Sequence, residues 1–136
     1  MIKELTLEAR AENAQAAADF VEEQLEAADC PPKAMAHINI AVDELYINVA
    51  SYAYGEGEGP VTIRVETLPE ERAVCVTFID AGQPFDPLAA PEPDVTLPRS
   101  QRRIGGLGIL MVKKMMDEVS YEYADGQNIL RIRKNF

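Results

Sequence analysis

Three short stretches of the chain hold side chains whose types and spacing suit joint chemistry. In AVDELYINVASYAY, residues 41–54, Glu44 and Asn48 stand four apart. On a helix that spacing makes them neighbours on one face. The oxygen of an amide such as Asn48 is a good ligand for Mg²⁺, which prefers oxygen and keeps several waters. A carboxylate beside it, Glu44, can take a proton from a hydroxyl or a water. The same pair also fits an ordinary helix face with two solvated polar groups. In FIDAGQPFDP, residues 78–87, Asp80 ends an apolar strand pattern and Gly82 follows. A carboxylate at a buried strand end is costly unless it meets donors. An adenine amino group is such a donor, and a glycine at 82 would let the backbone approach a flat base. The local alternative is a strand that simply ends in a turn.

The third stretch is RRIGGLGILMVKKMM, residues 102–116, where Gly105, Gly106 and Gly108 precede a helical pattern. Free amides and the positive end of a helix dipole make a phosphate site in such a place. The stretch is not a P-loop, since GxxxxGK[ST] is absent. It is not a dinucleotide fingerprint either, since the third glycine is missing and a proline-rich loop precedes it instead of a strand. A flexible hinge before a core helix fits the same residues.

The elements that must position these groups follow from periodicity. IKELTLEA alternates and predicts a first strand, with Ile2, Leu5 and Leu7 sharing a face after a small irregularity. Residues 12–29 are rich in Ala, Glu and Gln, strong helix formers, with Phe20, Val21 and Leu25 as the apolar stripe. Pro31 and Pro32 end that helix. A second helix is predicted from about Pro32 to about Tyr54, because Ile38, Val42, Leu45, Val49 and Tyr52 recur at alternating spacings of four and three. GEGEGP stops it. VTIRVE and AVCVTFID are strands, the latter apolar on both faces and so central. Residues 81–104 hold five prolines and no period, and so long a loop is usually functional or disordered. GGLGILMVKKMMDEV opens a third helix, and VSYEYADGQNILRIRKNF is a hairpin around Asp125-Gly126. The expectation is an α+β two-layer sandwich, a mainly antiparallel sheet with helices on one face.

Composition narrows the function classes. The 136 residues and 15.0 kDa suit one domain spanning 1–136. Thirteen basic against 23 acidic residues give a net charge of −10 and a pI near 4.5. That balance argues against nucleic acid and against an anionic membrane surface. A small cluster of Arg99, Arg102 and Arg103 is the local exception. Cys30 and Cys75 lack metal-ligand spacing and read as reduced thiols of a soluble cytoplasmic protein. No run approaches the ~20 apolar residues of a membrane span, and the N-terminus lacks the apolar core of a signal peptide.

Taken together and in this order, the three stretches resemble the GHKL ATPase superfamily, or Bergerat fold. Within it they look most like the small anti-sigma-factor serine/threonine kinases. DELYINVASYAY is similar to that family's N-box, DAGQPFDP to its first glycine box, and GGLGILMVKKMMDEVSYE to its second. The resemblance implies Glu44 as general base and Asn48 as the Mg²⁺ ligand. It implies Asp80 on the adenine amino group with Gly82 in support, and Gly105, Gly106, Leu107 and Gly108 around the phosphates. Residues 86–104 match the ATP lid. Arg102 or Arg103 would approach the γ-phosphate, and Asn128 lies near a residue behind the adenine. The implied activity is transfer of the ATP γ-phosphoryl group to an anti-anti-sigma (STAS-type) protein, with a sigma factor as a second partner and a homodimer as the working form. The chain departs from the family at Tyr52, where many relatives have histidine. That departure keeps open an ATP-gated protein-binding module without kinase activity. A plain interaction domain without nucleotide is the third reading.

Lone residues have structural expectations. His37 is ~16 Å along the helix axis from Asn48, too far to share a metal. Lys113 and Lys114 fit a solvated face, and Met111, Met115 and Met116 fit core packing.

Overall fold

The computed structural model describes residues 1–55, 57–89 and 106–136. In chain order the elements are β1 (Ile2–Glu8), α1 (Ala14–Ala27), α2 (Pro32–Tyr52), β2 (Pro60–Leu68), β3 (Ala73–Asp80), α3 (Gly106–Met115), β4 (Glu118–Ala124) and β5 (Gln127–Asn135). The five strands form one antiparallel sheet in the order β1-β2-β3-β5-β4. The α+β sandwich expected from the periodicities is therefore present, with the doubly apolar β3 at its centre. The chain crosses from β3 through α3 and β4 before β5 pairs with β3.

Strand parity explains which side is covered. Val61, Ile63 and Val65 of β2 lie opposite Asp80, Phe78 and Val76 of β3. The last two meet Leu130 and Ile132 of β5. This row joins Val21 and Leu25 of α1, Ile38, Val42 and Leu45 of α2, and Val112 of α3 in one core. Each fully buried aliphatic side chain among them stabilises the fold by about 1.5–3 kcal/mol relative to exposure. The alternate residues, Thr62, Arg64 and Glu66, face the other side.

Local differences from the sequence expectations have simple causes. The β1–β2 register runs unbroken from Ile2 opposite Glu66 to Glu8 opposite Pro60. With no irregularity, Ile2 falls on the open face with Glu4 and Thr6 and is 55% exposed, while Leu5 and Leu7 face the core side. The first helix begins as a 3₁₀ turn at Ala11–Asn13 and its α portion ends at Ala27, with Asp29 at φ 55°. Its buried stripe is Ala17, Val21 and Leu25, and Phe20 is only half-buried. α3 stops at Met115, so Glu118 and Val119 open β4 instead of continuing the helix. Met116 is buried, but Met111 lies on the outer side of α3 at 41% exposure, contrary to a core role. The Asp125-Gly126 turn is as expected, with φ of 55° and 77° at the two central residues, the pattern of a tight primed turn.

Cys30 and Cys75 are buried and unbridged. Among the described residues no helix is long and apolar enough to cross a membrane.

Candidate functional site

Glu44 and Asn48 lie one turn apart in the middle of α2. Asn48 is 6% exposed although it carries an amide. It lines a cavity with Asp80 at the end of β3 and Asn128 on β5, each 5% exposed. Val49, Ala53, Phe78, Phe85 and Tyr121 supply apolar wall. Asn48, Asp80 and Asn128 are three of the four buried polar or charged residues among those described. Buried polar groups cost free energy unless partnered, so their convergence on one cavity marks it out. The empty space there is about 360 Å³, part of it open to solvent.

The register brings Asp80 and Asn128 together, since they are directly opposite on β3 and β5. Asn128 Nδ2 donates to Asp80 Oδ1 at 2.9 Å and to the Gln83 carbonyl at 2.8 Å. Its Oδ1 accepts from the Phe85 amide at 3.1 Å and from the Tyr121 hydroxyl. The Gly82 amide donates to the same Asp80 oxygen at 2.9 Å. Asp80 is thus held by donors at the strand end, and its partners are its own loop and the neighbouring strand.

Gly82 has a steric reason to be glycine. A Cβ there would strike the carbonyl group and α-carbon of Ala53, at the C-terminal end of α2. The close approach is fixed by hydrogen bonds. The Gln83 amide donates to the Ala53 carbonyl at 2.8 Å, and Gln83 Nε2 to the Tyr52 carbonyl at 2.9 Å. The Tyr54 hydroxyl accepts from the Ala81 amide at 2.9 Å and donates to the Pro60 carbonyl at 2.5 Å. Tyr52 stacks on Phe85 with ring centroids 5.1 Å apart and planes 27° apart.

Glu44 meets the third stretch. A Cβ on Gly108, in the first turn of α3, would overlap the Glu44 carboxylate. The absence of a side chain at 108 therefore lets this carboxyl group lie against the helix start. Burial raises the Glu44 carboxyl pKa above the ordinary glutamate value. Gly106 is the first residue of α3, so the amides of this turn have no carbonyl one turn back within the helix.

The residues expected from sequence thus fall into two groups. Asn48, Asp80 and Asn128 share one cavity, Gly82 joins Asp80 to the end of α2, and Glu44 meets Gly108 between α2 and α3, with Gly106 opening α3. Gly105, Arg99, Arg102 and Arg103 lie outside the described residues, as does most of the 86–104 segment and the side chain of Leu107. Sequence reading missed Tyr121, Gln83, Phe85 and Tyr54. Tyr121 had a signal, because alternation in β4 puts it on the same face as Val119. The other three depend on loop contacts that no period announces. His37 stands apart, with its Nδ1 buried and without a hydrogen-bond partner among the described residues. Lys113 donates to the Leu88 carbonyl at 3.3 Å from an exposed position.

A family profile described as histidine kinase-like ATPase domain matches residues 7–134. The chain belongs to the histidine kinase-like ATPase domain family. Similar proteins include the serine/threonine-protein kinase BtrW of Bordetella bronchiseptica, 27% identical over 70% of this chain and 66% of that protein. The serine-protein kinase RsbW of Listeria monocytogenes is 32% identical over 72% of this chain and 64% of that protein. The matched region spans about two thirds of the length of these relatives. The solved structure of the RsbU and RsbW domains of Rv1364c from Mycobacterium tuberculosis superposes with a TM-score of 0.70 at 16% identity, over 99% of this chain and 32% of that one. That likeness bears on the fold, and it agrees with the histidine kinase-like ATPase architecture found here.

Proposed function

We propose that this chain binds Mg·ATP and transfers the γ-phosphoryl group to a serine or threonine hydroxyl of a partner protein. The observation that carries the reading is the convergence of Asn48, Asp80 and Asn128 on one cavity, with Glu44 one helical turn from Asn48, in a member of an ATPase domain family. Relatives named serine-protein kinases support the reaction class. The motif resemblance supplies the finer reading of an anti-sigma factor: a STAS-type anti-anti-sigma substrate, a sigma factor held by a homodimer, and a cytoplasmic setting without nucleic acid or membrane. On this reading residues 1–136 form one ATP-binding domain with its lid at about 86–104.

The residues fit the ligand. Asp80 accepts a hydrogen bond from the base amine, and the lack of a side chain at Gly82 keeps the loop tight against α2 beside it. Asn48 would hold Mg²⁺, which neutralises phosphate charge when bound. Its amide is one oxygen ligand, and water and phosphate oxygens complete such a shell, so no cluster of acidic protein ligands is needed. The amides of the α3 turn, from Gly106, face negative charge, and Arg103 would add a cation. Glu44 takes the hydroxyl proton as the partner's oxygen bonds to the γ-phosphorus and the bond from that phosphorus to the ADP oxygen breaks. Such transfer depends on position and charge more than on covalent chemistry by the protein.

Thermal unfolding with and without Mg·ADP, on wild type and Asp80→Asn, tests the nucleotide site. At a hundred times its dissociation constant a ligand stabilises by about 2.7 kcal/mol, a rise of roughly 5–15 °C for a domain of this size. The rise is expected in wild type and lost in Asp80→Asn. No rise at millimolar nucleotide would overturn the assignment. Tyrosine at 52, where many relatives of the resembled family have histidine, motivates a second reading, an ATP-gated binding module without transfer. Stoichiometric ATP binding with no phosphate on the supplied partner would select it.

A further inference from the structure

The amide of Asn128 has all of its hydrogen-bonding capacity in use within the protein. Its orientation is dictated by its neighbours. The Phe85 amide can only donate, so the atom facing it at 3.1 Å must be the side-chain oxygen. The Gln83 carbonyl can only accept, so the atom facing it at 2.8 Å must be the nitrogen. The second hydrogen of that nitrogen then points to Asp80 Oδ1 at 2.9 Å. The Tyr121 hydroxyl fills the second acceptor site on the Asn128 oxygen. A flipped amide would set donor against donor and acceptor against acceptor.

The consequence falls on Asp80. Both of its donors, the Gly82 amide and the Asn128 amide, use Oδ1. Among the described residues none donates to Oδ2, while Asp80 lines the cavity. A carboxylate pinned through one oxygen presents the other in a fixed direction as an acceptor. An acceptor discriminates between purines at position 6: an amine donates to it, and a carbonyl repels it.

We infer that Asn128 and Tyr121 form a positioning pair that aims Asp80 Oδ2 at the base and so sets the preference for a 6-amino over a 6-oxo purine. The inference rests on the nucleotide-binding reading above. It assigns Asn128 no contact with the nucleotide. The pair acts through Asp80, and its effect is on selectivity rather than on affinity for phosphates. Aspartate at 128 could not replace the amide, since it would face Asp80 and the Gln83 carbonyl with acceptors only.

The test compares Mg·ADP with Mg·IDP, which differ in the 6-substituent (amine against carbonyl) and in the hydrogen that the carbonyl form carries on N1, by dissociation constants on wild type, Asn128→Ala and Tyr121→Phe. Unfolding temperatures without nucleotide are measured alongside. Wild type is expected to prefer ADP by at least ~10-fold. Asn128→Ala is expected to bring the ratio of the two constants to within ~3-fold of unity, and Tyr121→Phe to lower it by at least ~2-fold. A purely structural role would lower the unfolding temperature and weaken both nucleotides alike, leaving the ratio intact. If Asn128→Ala does not fold, Tyr121→Phe decides, because it keeps the ring and removes only the hydroxyl. A wild-type ratio retained in the folded variants overturns the positioning pair and leaves the nucleotide site standing. Wild type that binds neither nucleotide overturns both.

Discussion

Gly82 and Gly108 respond differently to one added methyl group. At 82 the new Cβ strikes backbone, the Ala53 carbonyl and α-carbon, which cannot swing away. Gly82→Ala is expected to destabilise by roughly 1–3 kcal/mol through overpacking, read as a lower denaturant midpoint with an unchanged slope. At 108 the obstacle is the far end of the Glu44 side chain, which can rotate. Alanine also favours helix over glycine by about 1 kcal/mol. Gly108→Ala should therefore keep or raise the unfolding temperature while phosphate transfer falls, because Glu44 is displaced. Loss of stability without loss of transfer would refute that role for 108. Glu44 itself carries a pH signature. Burial favours its protonated form in the fold, so its stability contribution is full below the unfolded-state pKa and fades as pH rises through the raised folded value. Transfer needs the opposite form. The rate is expected to fall as pH drops through a value above that of ordinary glutamate, and Glu44→Gln should lose ~100-fold or more of the rate while still binding nucleotide. An acid limb at the ordinary glutamate value would contradict the burial argument.

At the scale of elements, the end of α2 and the loop after β3 hold one another. The last turn of α2 is bound to residues 81–85 by backbone and side-chain hydrogen bonds and by the Tyr52–Phe85 stack. An aromatic pair of this kind adds about 0.5–1.5 kcal/mol beyond its buried area. Tyr52→Ala should lower the unfolding temperature by a few degrees and speed amide exchange at Gln83 and Phe85, leaving β1 unchanged. Exchange unaltered at those two amides would mean that the hydrogen bonds alone hold the segment. The element boundaries also show what periodicity carries. α2 was legible from Ile38, Val42, Leu45 and Val49, because one helix face is fully buried. The end of α3 was not, because Met116, Asp117 and Glu118 suit a helix locally and only the pairing of Glu118 with Arg133 makes the last of them a strand residue.

For the whole molecule, the sheet order predicts the order of opening. β3 is paired on both sides and buried on both faces, whereas β1 and β4 are edges. Native-state hydrogen exchange should show the slowest amides in β3, approaching the global stability, and faster exchange in β1. Equal protection in β1 and β3 would mean that the sheet opens only as one unit. The sequence by itself determined the α+β class, the central place of β3 and the tight Asp125-Gly126 turn, and it singled out the three stretches proposed to hold chemistry. Each of these is written in local periods, turn residues or short-range spacing. Tertiary structure decided what those stretches do to one another. Asp80 meets Asn128 because β5, forty-eight residues later, pairs with β3 in one register. Gly82 is confined by the end of α2, and Gly108 by Glu44. Tyr121, Gln83 and Phe85 all bond to Asn128. Such contacts depend on distances across the fold, and a chain encodes them only through the packing that brings distant residues together.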